Sequence, residues 1–250
     1  VYNLGAMSHV KVSFDMPVYT GDVDGLGTTR ILEHIRQSNY KDKIKFYQAS
    51  TSELFGGIPG TEPQSETTPF YPKSPYGAAK LYAYWVTVNY RESYGLFACN
   101  GILFNHESPR RGSNFVTNKV VKQAVEIKKG LRDTLELGNM DSYRDWGHAK
   151  DYTRAMIEII NHETTDEFCV STGTAHSVRD LCEVVFKYLE LDYRDYVTQN
   201  PKYMRPEELK FLRGDSTKAR EVLGWKPEYT FEGMMHEMVE HWMNKPDIYR

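Results

Sequence analysis

Short apolar runs alternate with longer amphipathic stretches through the first hundred residues. Residues 44–50 (IKFYQAS) and 97–104 (FACNGILF) are apolar and bounded by polar residues or glycine, which predicts buried parallel strands. Residues 76–94 between them predict a long helix, with Pro75 just ahead and Gly95 just behind as start and stop signals. An earlier helix is predicted over 24–37, where Ile31, Leu32 and Ile35 give part of an apolar stripe. Residues 1–4 read as a strand. After residue 104 the pattern changes. The segment 105–114 (NHESPRRGSN) is polar and irregular, 115–129 predicts a helix, and 134–138 a short strand. Residues 147–162 predict another helix, and 167–171 (EFCVS) a buried strand that returns to the sheet. Ser177 caps a helix to about residue 190, with Asp180 where a capping box takes Glu or Gln, and helices are predicted over 216–223 and 230–244. The whole predicts a Rossmann-type, doubly wound parallel α/β sheet joined to a smaller, mostly helical domain.

Composition narrows the class. A chain of 250 residues, 40% hydrophobic and 26% charged, has ample core for independent folding. No apolar run approaches the roughly 20 residues that cross a bilayer, so no membrane partner is expected. The first residues lack a basic segment followed by an apolar one, which argues against a signal peptide. A net charge of −3 with interspersed signs gives no support for nucleic-acid binding. Cys99, Cys169 and Cys182 are an odd, widely spaced set in apolar surroundings. They read as buried free thiols in a reducing, cytoplasmic setting, and no Cys or His cluster has metal-ligand spacing.

The candidate chemistry lies in Ser74-Pro75-Tyr76-Gly77-Ala78-Ala79-Lys80 and in Thr51-Ser52-Glu53. Four residues is about one helical turn, so the Tyr76 phenol and the Lys80 ammonium share a face. An ammonium beside a phenol favours the phenolate, a usable base near neutral pH. Thr51 and Glu53 add a hydroxyl and a carboxylate, a set suited to redox and proton chemistry on a sugar. A bare Tyr-x-x-x-Lys says little in a chain with 18 tyrosines; the four residues together say much more. Ser52 reads as a turn former as readily as a catalytic group. Gly25-Leu26-Gly27 lacks both a preceding apolar strand and a third glycine, so no glycine-rich phosphate loop is present.

These residues resemble the GDP-mannose 4,6-dehydratases, within the extended short-chain dehydrogenase/reductase superfamily. The resemblance runs through nearly the whole chain. Its landmarks are Tyr2-Asn3-Leu4-Gly5-Ala6-Met7-Ser8-His9-Val10, Thr51-Ser52-Glu53-Leu54-Phe55-Gly56 and Tyr76-x-x-x-Lys80. Leu103 to Gly112 (LFNHESPRRG), Arg144 to Tyr152 (RDWGHAKDY) and Leu223-Gly224-Trp225-Lys226-Pro227 continue it. Met7 stands where the family often has Gln. The family's opening strand, glycine-rich turn and helix, which hold the cofactor pyrophosphate, have no counterpart here. By the family's layout Val1 falls at the fourth strand, and the chain is expected to be an incomplete dehydratase that grips the cofactor by its nicotinamide half.

The resemblance implies an NADP-dependent hydro-lyase acting on GDP-mannose. Thr51, Glu53, Tyr76 and Lys80 are its implied catalytic residues. Leu4, Ser8, Tyr19, Lys80, His106 and Arg111 are the implied cofactor contacts. Ser8, Asn105, Val116, Lys119, Arg144, Arg205 and Glu208 are the implied nucleotide-sugar contacts, with arginines suited to a diphosphate. Residues 1–108 and 147–176 are assigned to the NADP-binding domain, and 109–146 and 177–250 to the nucleotide-sugar-binding domain. A homodimer or homotetramer is expected, paired through helices 24–37 and 76–94. The alternatives are another nucleotide-sugar enzyme of the superfamily, such as a 4-epimerase, or a non-catalytic remnant that binds a nucleotide sugar or a partner subunit. A 4-epimerase typically lacks a carboxylate at the position of Glu53.

Overall fold

The computed structural model describes residues 1–204, 207 and 209–245. The chain starts with β1 (Tyr2–Asn3), then α1 (Val10–Asp15), α2 (Pro17–Thr20), a π-helical turn (Gly21–Leu26) and α3 (Gly27–Gln37). Next come β2 (Lys45–Thr51), a 3-10 turn (Ser52–Phe55), α4 (Pro75–Tyr94), β3 (Phe97–Leu103) and β4 (Asn105–Glu107). The middle holds α5 (Val116–Lys128), β5 (Leu135–Leu137), β6 (Tyr143–His148), α6 (Ala149–Asn161) and β7 (Glu167–Val170). The remainder is β8 (Ala175–Ser177), α7 (Val178–Tyr188), β9 (Val197–Gln199), β10 (Phe211–Leu212), α8 (Thr217–Leu223) and α9 (Phe231–Met243).

The main sheet is parallel in the order β1-β2-β3-β7. Its register pairs Tyr2 with Tyr47, Tyr47 with Cys99 and Ile102 with Cys169. Successive side chains of β2 point to opposite faces and bury against different helices. Phe46 packs with Leu32, Ile35 and Ala98 on the α3/α4 side. Tyr47 packs with Tyr152, Ala155 and Ile159 on the α6 side. Helices therefore cover both faces, which is why β2 and β3 read as continuous apolar runs. All three cysteines are free and buried.

A second core joins α5, α7 and α9 around Val121, Leu181, Phe186, Met235 and Met238. Trp146 of β6 enters it, 2% exposed and stacked on Phe231 with ring centroids 5.9 Å apart. The smaller sheets β10-β6-β4, with β8 antiparallel on β6, and β5-β9 border this lobe.

Four local expectations are corrected. The helix predicted from residue 24 is preceded by the π-helical turn, which carries Asp24 on its inner side. The polar segment after residue 104 begins as β4, because Asn105, His106 and Glu107 find ladder partners in Trp146, Gly147 and His148. Gly147 and His148 therefore belong to β6, and the helix expected from 147 starts at Ala149. Asp180 completes a capping box although it is shorter than Glu: it accepts from the Ser177 amide (2.8 Å) while the Ser177 hydroxyl accepts from the Asp180 amide (3.0 Å).

Candidate active site

Strand β2 ends at Thr51, and the chain turns at once into the 3-10 turn, with the Thr51 hydroxyl accepting from the Glu53 amide at 3.2 Å. Gly56 closes the turn at φ +67°, where a Cβ would run into the Tyr71 carbonyl oxygen. Ser52 and Glu53 are thereby held buried at the carboxyl end of a central parallel strand, where open α/β sheets place their ligands. Helix α4 starts against the same point. The Ser74 hydroxyl caps it by accepting from the Gly77 amide (3.0 Å), Pro75 fills the first position, and Tyr76 follows in the first turn. The Tyr76 phenol is hydrogen-bonded with Thr51 and lies within the field of Glu53. One turn on, Lys80 is 3% exposed and donates to the Ala49 carbonyl at 3.0 Å. The structure thus brings Thr51, Glu53, Tyr76 and Lys80 together.

Burial is the largest influence on both the Tyr76 phenol and the Lys80 amine. Burial pushes the Tyr76 phenol well above its ordinary value. The Thr51 hydrogen bond opposes that rise, the Glu53 and Asp24 carboxylates add to it, and the Arg111 charge opposes it. Burial also pulls Lys80 down to about 8, against the pull of Asp24. The ammonium hydrogen-bonds a backbone carbonyl, and burial outweighs the positive charges around the phenol.

His106 on β4 stacks over Tyr152 (centroids 4.7 Å), and its Nδ1 lies 2.9 Å from the Phe104 carbonyl. Nδ1 therefore carries the proton of a neutral ring, leaving Nε2 as the acceptor. Burial pulls the ring to about 4, with the Phe104 carbonyl opposing and the Arg111 charge adding. The folded chain thus binds this proton less tightly than the unfolded chain does. Stability is expected to fall as pH drops from about 6.5 towards 4, by about 2 kcal/mol after allowing for the ring's partial solvent access. Denaturant titrations at the two ends of that window, on the wild type and on His106→Asn, check this. The variant should lose most of the difference, and an equal pH response in both proteins would refute it.

Arg111 pairs with the buried Glu107 at 3.0 Å and lies 3.6 Å over the Phe115 ring. Leu4, Ser8 and Tyr19 are exposed beside an open cleft of about 410 Å³ lined by Asn3, Gly5, Ala6, Met7, Tyr19 and Val23. A larger cleft, about 470 Å³, lies against Arg30, Ile31 and His34 and holds none of the expected site residues. Asn105, Val116, Lys119 and Arg144 sit on β4, α5 and β6. Lys119 donates to the Glu136 carbonyl (2.6 Å) and covers the Tyr203 ring at 3.7 Å. Arg144 is 6% exposed and donates to the Tyr143 and Leu209 carbonyls, both at 2.8 Å. Arg205 and Glu208 lie outside the described residues.

Two buried acids escaped the sequence reading. Asp145 is fully buried and collects the Thr172 amide and hydroxyl (2.8 and 2.7 Å), the Gly173 amide (2.8 Å) and the Gly214 amide (3.3 Å). Asp24, 1% exposed, accepts from the Met7 amide at 2.7 Å, and its second oxygen has no hydrogen-bond partner among the described residues. An acid near a helix start reads as a cap or dipole partner, so its inward direction left no signal.

The profile described as GDP-mannose 4,6 dehydratase matches residues 1–238. The chain belongs to the GDP-mannose 4,6-dehydratase family. It is 50% identical to the human GDP-mannose 4,6 dehydratase over 96% of this chain and 68% of that protein. It is 52% identical to GDP-mannose 4,6 dehydratase 2 of Arabidopsis thaliana, over 96% and 64%. Among solved structures, RMD from Pseudomonas aeruginosa complexed with NADPH superimposes with a TM-score of 0.89 at 23% identity, covering 98% of this chain and 81% of that one. The UDP-glucose 4-epimerase of Thermus thermophilus complexed with NAD gives 0.84 at 28%, covering 98% and 77%. In this GDP-mannose 4,6-dehydratase family chain, the residues present fit the nicotinamide end of a dinucleotide. The Gly5–Met7 backbone lines an open cleft, the Lys80 amine and the Nε2 acceptor of neutral His106 offer polar groups to a ribose or an amide, and the Asp24 Oδ2 has no hydrogen-bond partner among the described residues.

Proposed function

We propose that this chain catalyses the loss of water from GDP-mannose to give GDP-4-keto-6-deoxy-mannose, and that NADP is its cofactor. The carrying observation is the buried Glu53 carboxyl beside a Tyr76 phenol that is hydrogen-bonded with Thr51. NADP, when bound, would supply a hydride acceptor and donor, so that the hydride lost from carbon 4 is regained at carbon 6 and the reaction is redox-neutral overall. Tyr76 accepts the proton of the sugar 4-hydroxyl, and the Thr51 hydroxyl donates to the developing 4-oxygen. The 4-ketone acidifies the proton on carbon 5. Glu53 removes that proton and returns it to the departing 6-hydroxyl, which leaves as water. The proton held by Tyr76 balances the last step by reaching carbon 5. Lys80 orients the nicotinamide ribose, with Leu4, Ser8, Tyr19, His106 and Arg111 along the cofactor. Asn105, Val116, Lys119 and Arg144, with Ser8, Arg205 and Glu208, hold the nucleotide sugar.

The test is incubation of the full-length gene product with NADP and, separately, GDP-mannose, UDP-glucose and deoxythymidine-diphosphate-glucose. Product with one water less, by mass, is expected from GDP-mannose alone. Preference for another sugar, or no product from any, would overturn the reading.

The division into an NADP-binding part (1–108 and 147–176) and a nucleotide-sugar part (109–146 and 177–250), a cytoplasmic setting and a homo-oligomer belong to the same proposal. Among the described residues no helix is long and apolar enough to cross a membrane. Trp85, Tyr82 and Leu26 are 54%, 46% and 46% exposed on α4 and the adjoining π-helical turn, an aromatic face that supports pairing with a second copy. Trp85→Glu is expected to shift the light-scattering mass at micromolar concentration to that of the monomer. An unchanged oligomer would place the contact elsewhere.

A further inference from the structure

The Asp24 carboxylate is a poor fit to a purely structural role. It sits on the π-helical turn, 1% exposed. Its Oδ1 accepts from the Met7 amide at 2.7 Å, while its Oδ2 has no hydrogen-bond partner among the described residues. The π-helical turn presses on α4 beside Lys80: a Cβ on Gly25 would lie 3.5 Å from the Ala79 carbonyl oxygen and 3.3 Å from the Tyr82 ring. The Asp24 carboxylate and the Lys80 ammonium interact electrostatically, and the Asp24 charge also reaches Tyr76.

Resting on the proposed function, we infer that Asp24 is a positioning residue for the reaction: its buried carboxylate keeps Lys80 charged, and its Oδ1 fixes the Met7 backbone along the cofactor cleft. An ammonium that is 3% exposed with one carbonyl acceptor loses its proton readily unless an anion offsets the loss of water. Asp24 is that anion. The charged or titratable groups facing this centre are Asp24 on the π-helical turn, Tyr76 on α4, Glu53 on the 3-10 turn and Arg111 beyond β4. Among them Asp24 is the acid that acts on Lys80 directly. Burial is the first cause that raises the Asp24 carboxyl above its ordinary value, with the Met7 hydrogen bond and the Lys80 charge opposing.

The test uses Asp24→Asn, which keeps the shape and the acceptor for Met7 but removes the charge, with Asp24→Ser as a smaller alternative if the first folds poorly. In full-length protein labelled with carbon-13 at the lysine ε-position, the Lys80 titration midpoint should fall by about one pH unit. The alkaline limb of kcat/KM for GDP-mannose should move the same way, and kcat at pH 8 should drop about tenfold. Asp24→Glu restores the charge and should restore the limb. Thr28→Val removes the hydroxyl that bonds Gln48 and the Asp24 carbonyl, a structural neighbour. It should lower Tm while leaving the limb in place. An unchanged Lys80 midpoint in both Asp24→Asn and Asp24→Ser would overturn the inference, whatever their Tm. Should the wild type fail to act on GDP-mannose, the functional reading falls and the lysine titration still decides this one.

Discussion

Glu53→Gln is expected to lower kcat for GDP-mannose by about 10²- to 10⁴-fold while KM changes little. Glutamine keeps the side chain's size in the 3-10 turn, where Thr51 and Gly56 fix the backbone, but it cannot take a proton. The carboxylate is needed when the carbon-5 proton leaves, so its loss is felt in the transition state and barely in the bound ground state. Oxidation at carbon 4 rests on Tyr76 and Thr51 and should persist, visible as a transient reduced cofactor without product. Stopped-flow absorbance with steady-state kinetics separates the two steps. A variant that keeps its turnover but loses affinity would assign Glu53 to binding and leave the elimination without its base.

The second large effect concerns stability. Asp145→Ala is expected to cost about 3–5 kcal/mol, because three backbone amides and the Thr172 hydroxyl lose a buried, charged acceptor at once. Those donors come from the segment after β7 and from the turn after β10, so one carboxylate ties two separate stretches to β6. Asp145→Asn keeps an acceptor oxygen but brings a donor towards these donors, and should recover part of the loss. Urea unfolding of the three proteins measures this. A loss below about 1 kcal/mol would mean that water replaces the carboxylate.

The elements around the site were legible where local chemistry and tertiary packing agree. Ser74, Pro75 and Gly95 bracket α4 in the sequence as they do in the fold, and the apolar runs of β2 and β3 have no reading other than buried strands once helices alternate with them. Thr51, Glu53, Tyr76 and Lys80 were found by residue type and spacing. Strand β4 was not legible, since Asn, His and Glu show no strand pattern and form one only because β6 supplies the ladder. The same holds for β6, whose Asp145 and His148 look like surface or ligand residues but are buried and hydrogen-bonded within the fold. Helical spacing alone put Lys80 beside Tyr76; the Ala49 carbonyl that the ammonium bonds and the depth of burial are set by strands distant in sequence and left no local signal.

Helix α4 is clamped at both ends. At its start the Ser74 cap holds the turn that bears Tyr76. Near its end Arg91 grips Glu167 of β7 through two bonds of 2.6 and 3.0 Å, and also donates to the Ala98 carbonyl of β3 at 3.1 Å. Asn100 of β3 bonds both Glu167 and the Tyr84 carbonyl (each 3.3 Å), stitching the middle of the helix to the same strand. A rod fastened in this way to two neighbouring strands resists sliding and rolling, so its phenol and amine behave as a fixed anvil.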